Sequence, residues 1–248
     1  AGAVAAAGED AHAHVCLLRV GVRTGVRAGT RARAASLGRA VRLAGPPNLT
    51  MRKPPTHLLY LHGFRSSPRS AKARQVAAWM AAHRPDVIWW CPQLPPSPRE
   101  AVALLEAGIA GWPRDRMAVI GSSLGGFYAT VIAERTGCPA VLLNPAVEPA
   151  RDLAAHIGEQ TAFHDPGTHF HFRAEYVDEL RALAPAAITR PERYCALIAK
   201  GDEVLDWREM SARYAGAAVT LLEGGDHALS DFDAHLPDLL HFLQLTAS

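Results

Sequence analysis

MAVIGSSLGGFYATVIAER (residues 117–135) starts as an apolar run, turns at Gly121-Ser122-Ser123-Leu124-Gly125, and continues with helical spacing. The turn fits G-x-S-x-G, and its place between a strand and a helix gives the pattern its meaning. A turn this tight needs glycines two residues either side of its apex, where a Cβ would collide. That requirement selects the apex. A nucleophile at Ser122 would need small residues at Ile120 and Leu124, so Ser123 is the expected nucleophile.

Outward from this stretch, short apolar runs alternate with helical patterns. Residues 57–62 form a near-continuous apolar run that stops at Gly63, as a strand buried on both faces would. Residues 71–83 read as a helix capped by Ser70, and residues 87–91 as a strand closed by Pro92. Ser97-Pro98-Arg99-Glu100 reads as a capping box opening a helix to about Ile109. Residues 117–120, 140–143, 194–199 and 219–222 are expected strands, and a last helix runs from about Phe232 to Leu245. Strands alternating with helices predict an α/β fold, a mostly parallel central sheet with helices on both faces. Its ligands bind where loops leave the carboxyl ends of the strands. The interval 146–192 breaks the rhythm, with one modest helical stretch around 174–184. Connections this long usually serve as lids or binding loops.

A serine hydroxyl needs a base, oriented by a third group. In this fold class the order is Ser, then Asp or Glu, then His. Of the seven histidines after Ser123, only His227 closely follows a strand; His235 and His241 fall inside the last helix. Asp202 comes first after the strand at 194–199, with Glu203 and Asp206 as alternatives. Asp226, next to His227, is too close in sequence to orient its ring easily. Acyl transfer also needs donors aimed at a developing oxyanion. The backbone N–H groups of Leu124, at a helix N-terminus, and of Phe64, after the first strand, are the candidates. His62 precedes the nucleophile, so with Gly63 it is expected to shape the oxyanion loop and border the substrate. His156 is a further candidate in the irregular interval. His164, His169 and His171 cluster there and are expected as lid surface or substrate-side contacts rather than a metal site.

Charge divides the 248-residue chain unevenly. Its net +2 combines a leader of +5 (residues 1–50, with seven Arg and two acids) and a remainder of −3. The leader has thirteen Ala, seven Gly and no Phe, Trp or Tyr, too little apolar surface to offset chain entropy. It is expected to be mostly disordered. It fits neither a Ser-rich transit peptide nor a secretory signal, since Arg19 cuts its apolar run short. Either translation starts at Met51 or the leader is a genuine but dispensable extension, and in both cases the catalytic domain is expected at 51–248. The apparent basicity then belongs to the leader, and no nucleic-acid partner is expected. No stretch of about 18 apolar residues predicts a membrane span. The four scattered cysteines predict reduced thiols and a cytoplasmic location.

The segments LYLHGFRSSPRSAKA (59–73), PQLPPSP (92–98), GSSLGGFYAT (121–130), LLNPAVEP (142–149), GDEVLDWREM (201–210) and EGGDHAL (223–229) resemble the YqiA-like esterase family of small α/β-hydrolases. The six occur in family order. The resemblance implies the α/β-hydrolase fold and a serine esterase acting on small-molecule carboxylic esters or thioesters without a cofactor. It assigns the nucleophile to Ser123, the acid to Asp202 and the base to His227. Asp226 replaces the family's usual Asn, and an acid there is expected to favour protonated His227. An acyltransferase on the same residues, or a non-catalytic receptor, are the rival readings.

Overall fold

A computed structural model of the chain describes residues 40–42, 52–163 and 165–246. In chain order the first elements are the strands Ala40–Arg42 (β1) and His57–Leu61 (β2), the helix Ala71–His83 (α1), the strand Ile88–Trp90 (β3) and the helix Pro98–Ile109 (α2). Met117–Ser122 (β4), Leu124–Thr136 (α3), Ala140–Leu143 (β5) and the short helix Pro149–Asp152 (α4) follow. Next come the strands Gly158–Ala162 (β6) and Asp165–Phe172 (β7), then Ala174–Leu183 (α5), Tyr194–Ala199 (β8), Trp207–Arg213 (α6), Ala218–Leu222 (β9) and Phe232–Phe242 (α7).

Seven strands form the main sheet in the order β1-β9-β8-β5-β4-β2-β3. Six of them are parallel, and β1 pairs antiparallel with β9 at one edge. The strand β1 lies inside the stretch read as a structureless leader, whose remaining residues, with Met51 and Cys16, fall outside the described residues.

The central strands are buried on both faces, which explains their unbroken apolar sequences. Leu59 and Leu61 of β2 point into one core with Val119, Leu142 and Ile198, covered by α2, α3, α5 and α6. Leu58 and Tyr60 alternate to the other face, with Ile120, Val141 and Leu197, under α1 and α7. Each fully buried Leu of this kind contributes roughly 1.5–3 kcal/mol. From Leu124 to Ala133, α3 is buried on every side, so its sequence shows almost no polar stripe.

From β2 the chain crosses to β3 on one side and returns to β4 on the other. The sheet therefore switches direction between β2 and β4, where Leu61 lies opposite Gly121. A crevice opens at such a point beyond the carboxyl ends of the strands, and the Ser123 turn and the His62–Phe64 loop both emerge there.

The interval 146–192 holds more than the one expected helix. Besides α5 it carries β6 and β7, an antiparallel hairpin with an irregularity between Thr161 and Ala162. The hairpin is fastened to the loop after β2. The Phe163 N–H donates to the Arg65 carbonyl (2.8 Å), and Arg65 Nε donates to the Thr161 carbonyl (2.7 Å). The Phe64 ring packs edge-on against Phe170 and Phe172 of β7, with centroids 5.8 and 5.3 Å apart.

Candidate active site

Ser123 sits between β4 and α3 with φ 56° and ψ −122°, a backbone conformation that side-chain-bearing residues rarely hold. Four backbone hydrogen bonds fix it. Its N–H donates to the Leu143 carbonyl (2.9 Å), and its carbonyl accepts from Gly126 (2.8 Å), Ala146 (3.0 Å) and, more weakly, Phe127 (3.4 Å). A Cβ on Gly121 would lie 2.2 Å from the Gly125 carbonyl oxygen, and one on Gly125 would lie 2.0 Å from that of Leu61. Both glycines are required by close backbone approach, as the turn's sequence implied.

Residues from three strand ends meet at this turn. His227 Nε2 lies 3.0 Å from Ser123 Oγ, and His227 Nδ1 lies 2.8 Å from Asp202 Oδ2. An ionised carboxylate only accepts, so the proton resides on Nδ1 and Nε2 faces the serine hydroxyl as an acceptor. The Asp202 side chain is fully buried, and its other oxygen accepts the N–H groups of Val204 and Leu205, each at 2.8 Å. Every oxygen of the buried acid is thus satisfied. The two alternative acids are occupied elsewhere. Glu203 accepts the backbone N–H of His227 (3.0 Å), and Asp206 caps α6 by accepting from Arg208 N–H (2.8 Å).

The loop carrying His227 is held by two residues that the sequence reading did not single out. Asn144, almost completely buried and at φ 40°, donates from Nδ2 to the carbonyls of Asp226 (3.1 Å) and His227 (3.2 Å). Its Oδ1 accepts the Ala199 N–H (2.8 Å), so one amide ties the end of β8 to the histidine loop. Lys72 of α1 donates to the Ala228 carbonyl (2.5 Å). Burial lowers the Lys72 pKa, and the charges of Asp226 and Asp202 partly offset the effect. The signal for Asn144 was present: a polar, turn-tolerant residue directly before proline, at the carboxyl end of a central strand. Asp226 turns its carboxylate to Ser230, accepting from that residue's N–H (2.9 Å) and hydroxyl (2.5 Å).

His62 is buried in the loop after β2. Its Nε2 accepts the Leu94 N–H (3.1 Å) and its Nδ1 lies 3.0 Å from the Gly63 carbonyl, so a neutral ring donating from Nδ1 satisfies both contacts. It joins the loop after β2 to the proline-rich loop after β3. Neither the Phe64 nor the Leu124 backbone N–H has an acceptor among the described residues. Both residues line a cavity of about 730 Å³, together with His62, Gly63, Leu94, Leu104, Tyr128 and Phe170.

The remaining histidines are dispersed. His171 pairs with Glu159 and His169 with the Thr161 hydroxyl across the hairpin, while His156 packs beside the Phe64 ring. His235 meets Asp231, His241 is exposed, and His164 lies outside the described residues. Among the described residues no three His, Cys, Asp or Glu side chains are grouped as a metal site would need. Cys91, Cys138 and Cys195 form no disulfide among the described residues, and burial raises the Cys91 pKa to about 12. No helix among the described residues is long and apolar enough to cross a membrane.

Solved structures share this architecture. A putative hydrolase from Agrobacterium vitis matches with a TM-score of 0.58 at 16% identity, over 77% of this chain and 91% of its own. The mouse alpha/beta hydrolase domain-containing protein 10 matches with a TM-score of 0.58 at 16% identity, covering 86% of this chain and 98% of its own. Est1E from Butyrivibrio proteoclasticus, described with ferulic acid bound, matches at 0.55 and 14% identity over 83% and 94%. At such identities these likenesses establish the α/β-hydrolase fold. The model of the uncharacterised protein family UPF0227 matches residues 57–244, more than half of the sequence. The YqiA-like resemblance carried by the six segments holds over that span, and the chain belongs to this family.

Proposed function

We propose that this chain is a serine hydrolase that cleaves carboxylic esters or thioesters of small molecules through an acyl-enzyme intermediate. The observation that carries the reading is the hydrogen-bonded series from Ser123 through His227 to Asp202, at 3.0 and 2.8 Å. Ser123 Oγ attacks the acyl carbonyl while His227 Nε2 accepts its proton, and buried Asp202 stabilises the imidazolium. The unpartnered N–H groups of Phe64 and Leu124 are suited to hold the oxyanion, and the N-terminus of α3 adds its dipole. His227 then returns the proton to the leaving alcohol or thiol. Water, deprotonated by the same imidazole, releases the acid and restores Ser123. The fold shared with esterases supports this reading, and one neighbour's bound ferulic acid is a small carboxylic acid of the product type.

The test is pre-steady-state hydrolysis of p-nitrophenyl esters by the full chain. The expected result is turnover that Ser123→Ala abolishes and Asp202→Asn lowers by about 10⁴ in kcat, because the wrong histidine tautomer is then favoured. Equal turnover by wild type and folded Ser123→Ala would overturn the proposal.

A further inference from the structure

The cavity bordered by the loop after β2 and the start of α3 is asymmetric in a way that bears on the substrate. It is bordered by both Phe64 and Leu124, whose N–H groups face the carbonyl oxygen in the proposed reaction, but by no residue of the loop carrying His227. A leaving group must sit next to His227 Nε2 to receive its proton. The cavity therefore lies on the acyl side of the scissile bond. Near the oxyanion donors its walls are apolar, from Phe64, Leu94, Leu124, Tyr128 and Phe170, as suits a hydrocarbon chain.

The rim differs. Arg65, Arg69 and Asp165 all border the cavity. Arg65 is committed to the hairpin, donating to Thr161 and covering the Phe163 ring at 4.4 Å. Arg69 is not. It is exposed and its guanidinium makes no hydrogen bond to a described residue, although, after the Thr168 hydroxyl and the Gly167 N–H, its charge helps to lower the Asp165 pKa. The carboxylate of Asp165 is already occupied by the Thr168 hydroxyl (2.8 Å) and the Gly167 N–H (3.2 Å). A guanidinium that borders an apolar pocket and makes no hydrogen bond of its own presents a planar fork of donors suited to a carboxylate.

Resting on the serine-hydrolase reading, we propose that the acyl group of the substrate is apolar next to its carbonyl and carries a carboxylate at its far end, received by Arg69. The substrates are thus half-esters or half-thioesters of dicarboxylic acids. Asp165 limits the preference by repulsion, and Arg69 supplies it.

The experiment compares p-nitrophenyl half-esters of adipate, pimelate and suberate with the hexanoate, heptanoate and octanoate esters, in wild type, Arg69→Ala, Arg69→Glu and Asp165→Asn. At the best-fitting length the charged ester should exceed its neutral match about twofold to fivefold in kcat/KM, the modest factor an exposed, solvent-screened pair allows. Arg69→Ala should cancel that ratio, Arg69→Glu should invert it, Asp165→Asn should raise it, and added salt should compress it. A ratio of one or less at every length, or a ratio unchanged in Arg69→Ala, overturns the inference while leaving the hydrolase reading intact. A second measurement is independent of turnover: calorimetry of suberate and octanoate with Ser123→Ala protein. Tighter binding of suberate that Arg69→Ala removes supports the inference even if no ester is hydrolysed, and equal binding of the two acids contradicts it.

Discussion

At Ser123 the backbone is held in a conformation costing about 1–3 kcal/mol, and four backbone hydrogen bonds with β5, α3 and the loop after β5 keep it there. This strain was legible because only glycines fit at Gly121 and Gly125. His227 and Asp202, whose side chains lie within hydrogen-bond distance in series from Ser123, each follow a strand and were singled out on that ground. Asn144 was marked only as a polar residue before proline at a strand end, since its importance comes from joining three segments distant in sequence. Replacing it by Ala leaves the Ala199 N–H without a partner, a loss of about 1–3 kcal/mol from that group alone. It also frees the loop bearing His227, so ester turnover should fall by about tenfold to a hundredfold. Urea midpoints together with kcat check both effects. Asp226 invites a pH prediction. The Ser230 hydroxyl, and then its N–H, hold this carboxyl below the ordinary carboxylate range. Folded protein therefore binds that proton less readily than unfolded protein. The resulting stabilisation is complete above about pH 4 and drains away as pH falls through the folded value. Asp226→Asn should be less stable than wild type at pH 7 and no less stable near pH 2, as read from urea midpoints at the two pH values.

Among the elements, those with local signals matched their expected bounds best. Helix α1 begins after Ser70, whose hydroxyl accepts from the Ala73 N–H, and α2 begins after Ser97, which accepts from Glu100 N–H. The capping box at Ser97 is completed differently from its sequence. Glu179 of α5 accepts from the Ser97 hydroxyl (2.7 Å) and the Arg99 N–H (3.0 Å). A helix in the long insertion thus satisfies the start of α2, which borders the cavity next to Phe64 and Leu124 through Leu104. Glu179→Ala should destabilise the fold by about 1–2 kcal/mol, the usual worth of a cap, seen as a lower urea midpoint at unchanged m. The hairpin of β6 and β7 escaped sequence reading for a physical reason. Gly158-Glu159-Gln160-Thr161-Ala162 has little strand propensity and becomes a strand by pairing with β7. The one usable sign was the alternation His169, Phe170, His171, Phe172, in which Phe172 is buried and the histidines are exposed.

At the scale of the whole molecule, the alternation of apolar runs and helical patterns determined the sheet, because strands buried on both faces leave an unmistakable composition. The edge strand β1 left no such mark. Three residues in an Ala-, Gly- and Arg-rich segment gain their structure only from the exposed edge of β9. The sheet order in turn brings the ends of β4, β8 and β9 together, which makes one reactive serine the central claim. Reaction of the folded chain with a fluorophosphonate, followed by intact mass and peptide mapping, tests that claim most directly. The account predicts one adduct per chain, on Ser123, absent from Ser123→Ala and strongly slowed in Asp202→Asn. No adduct on folded wild-type protein, or an adduct that persists in Ser123→Ala, would contradict it.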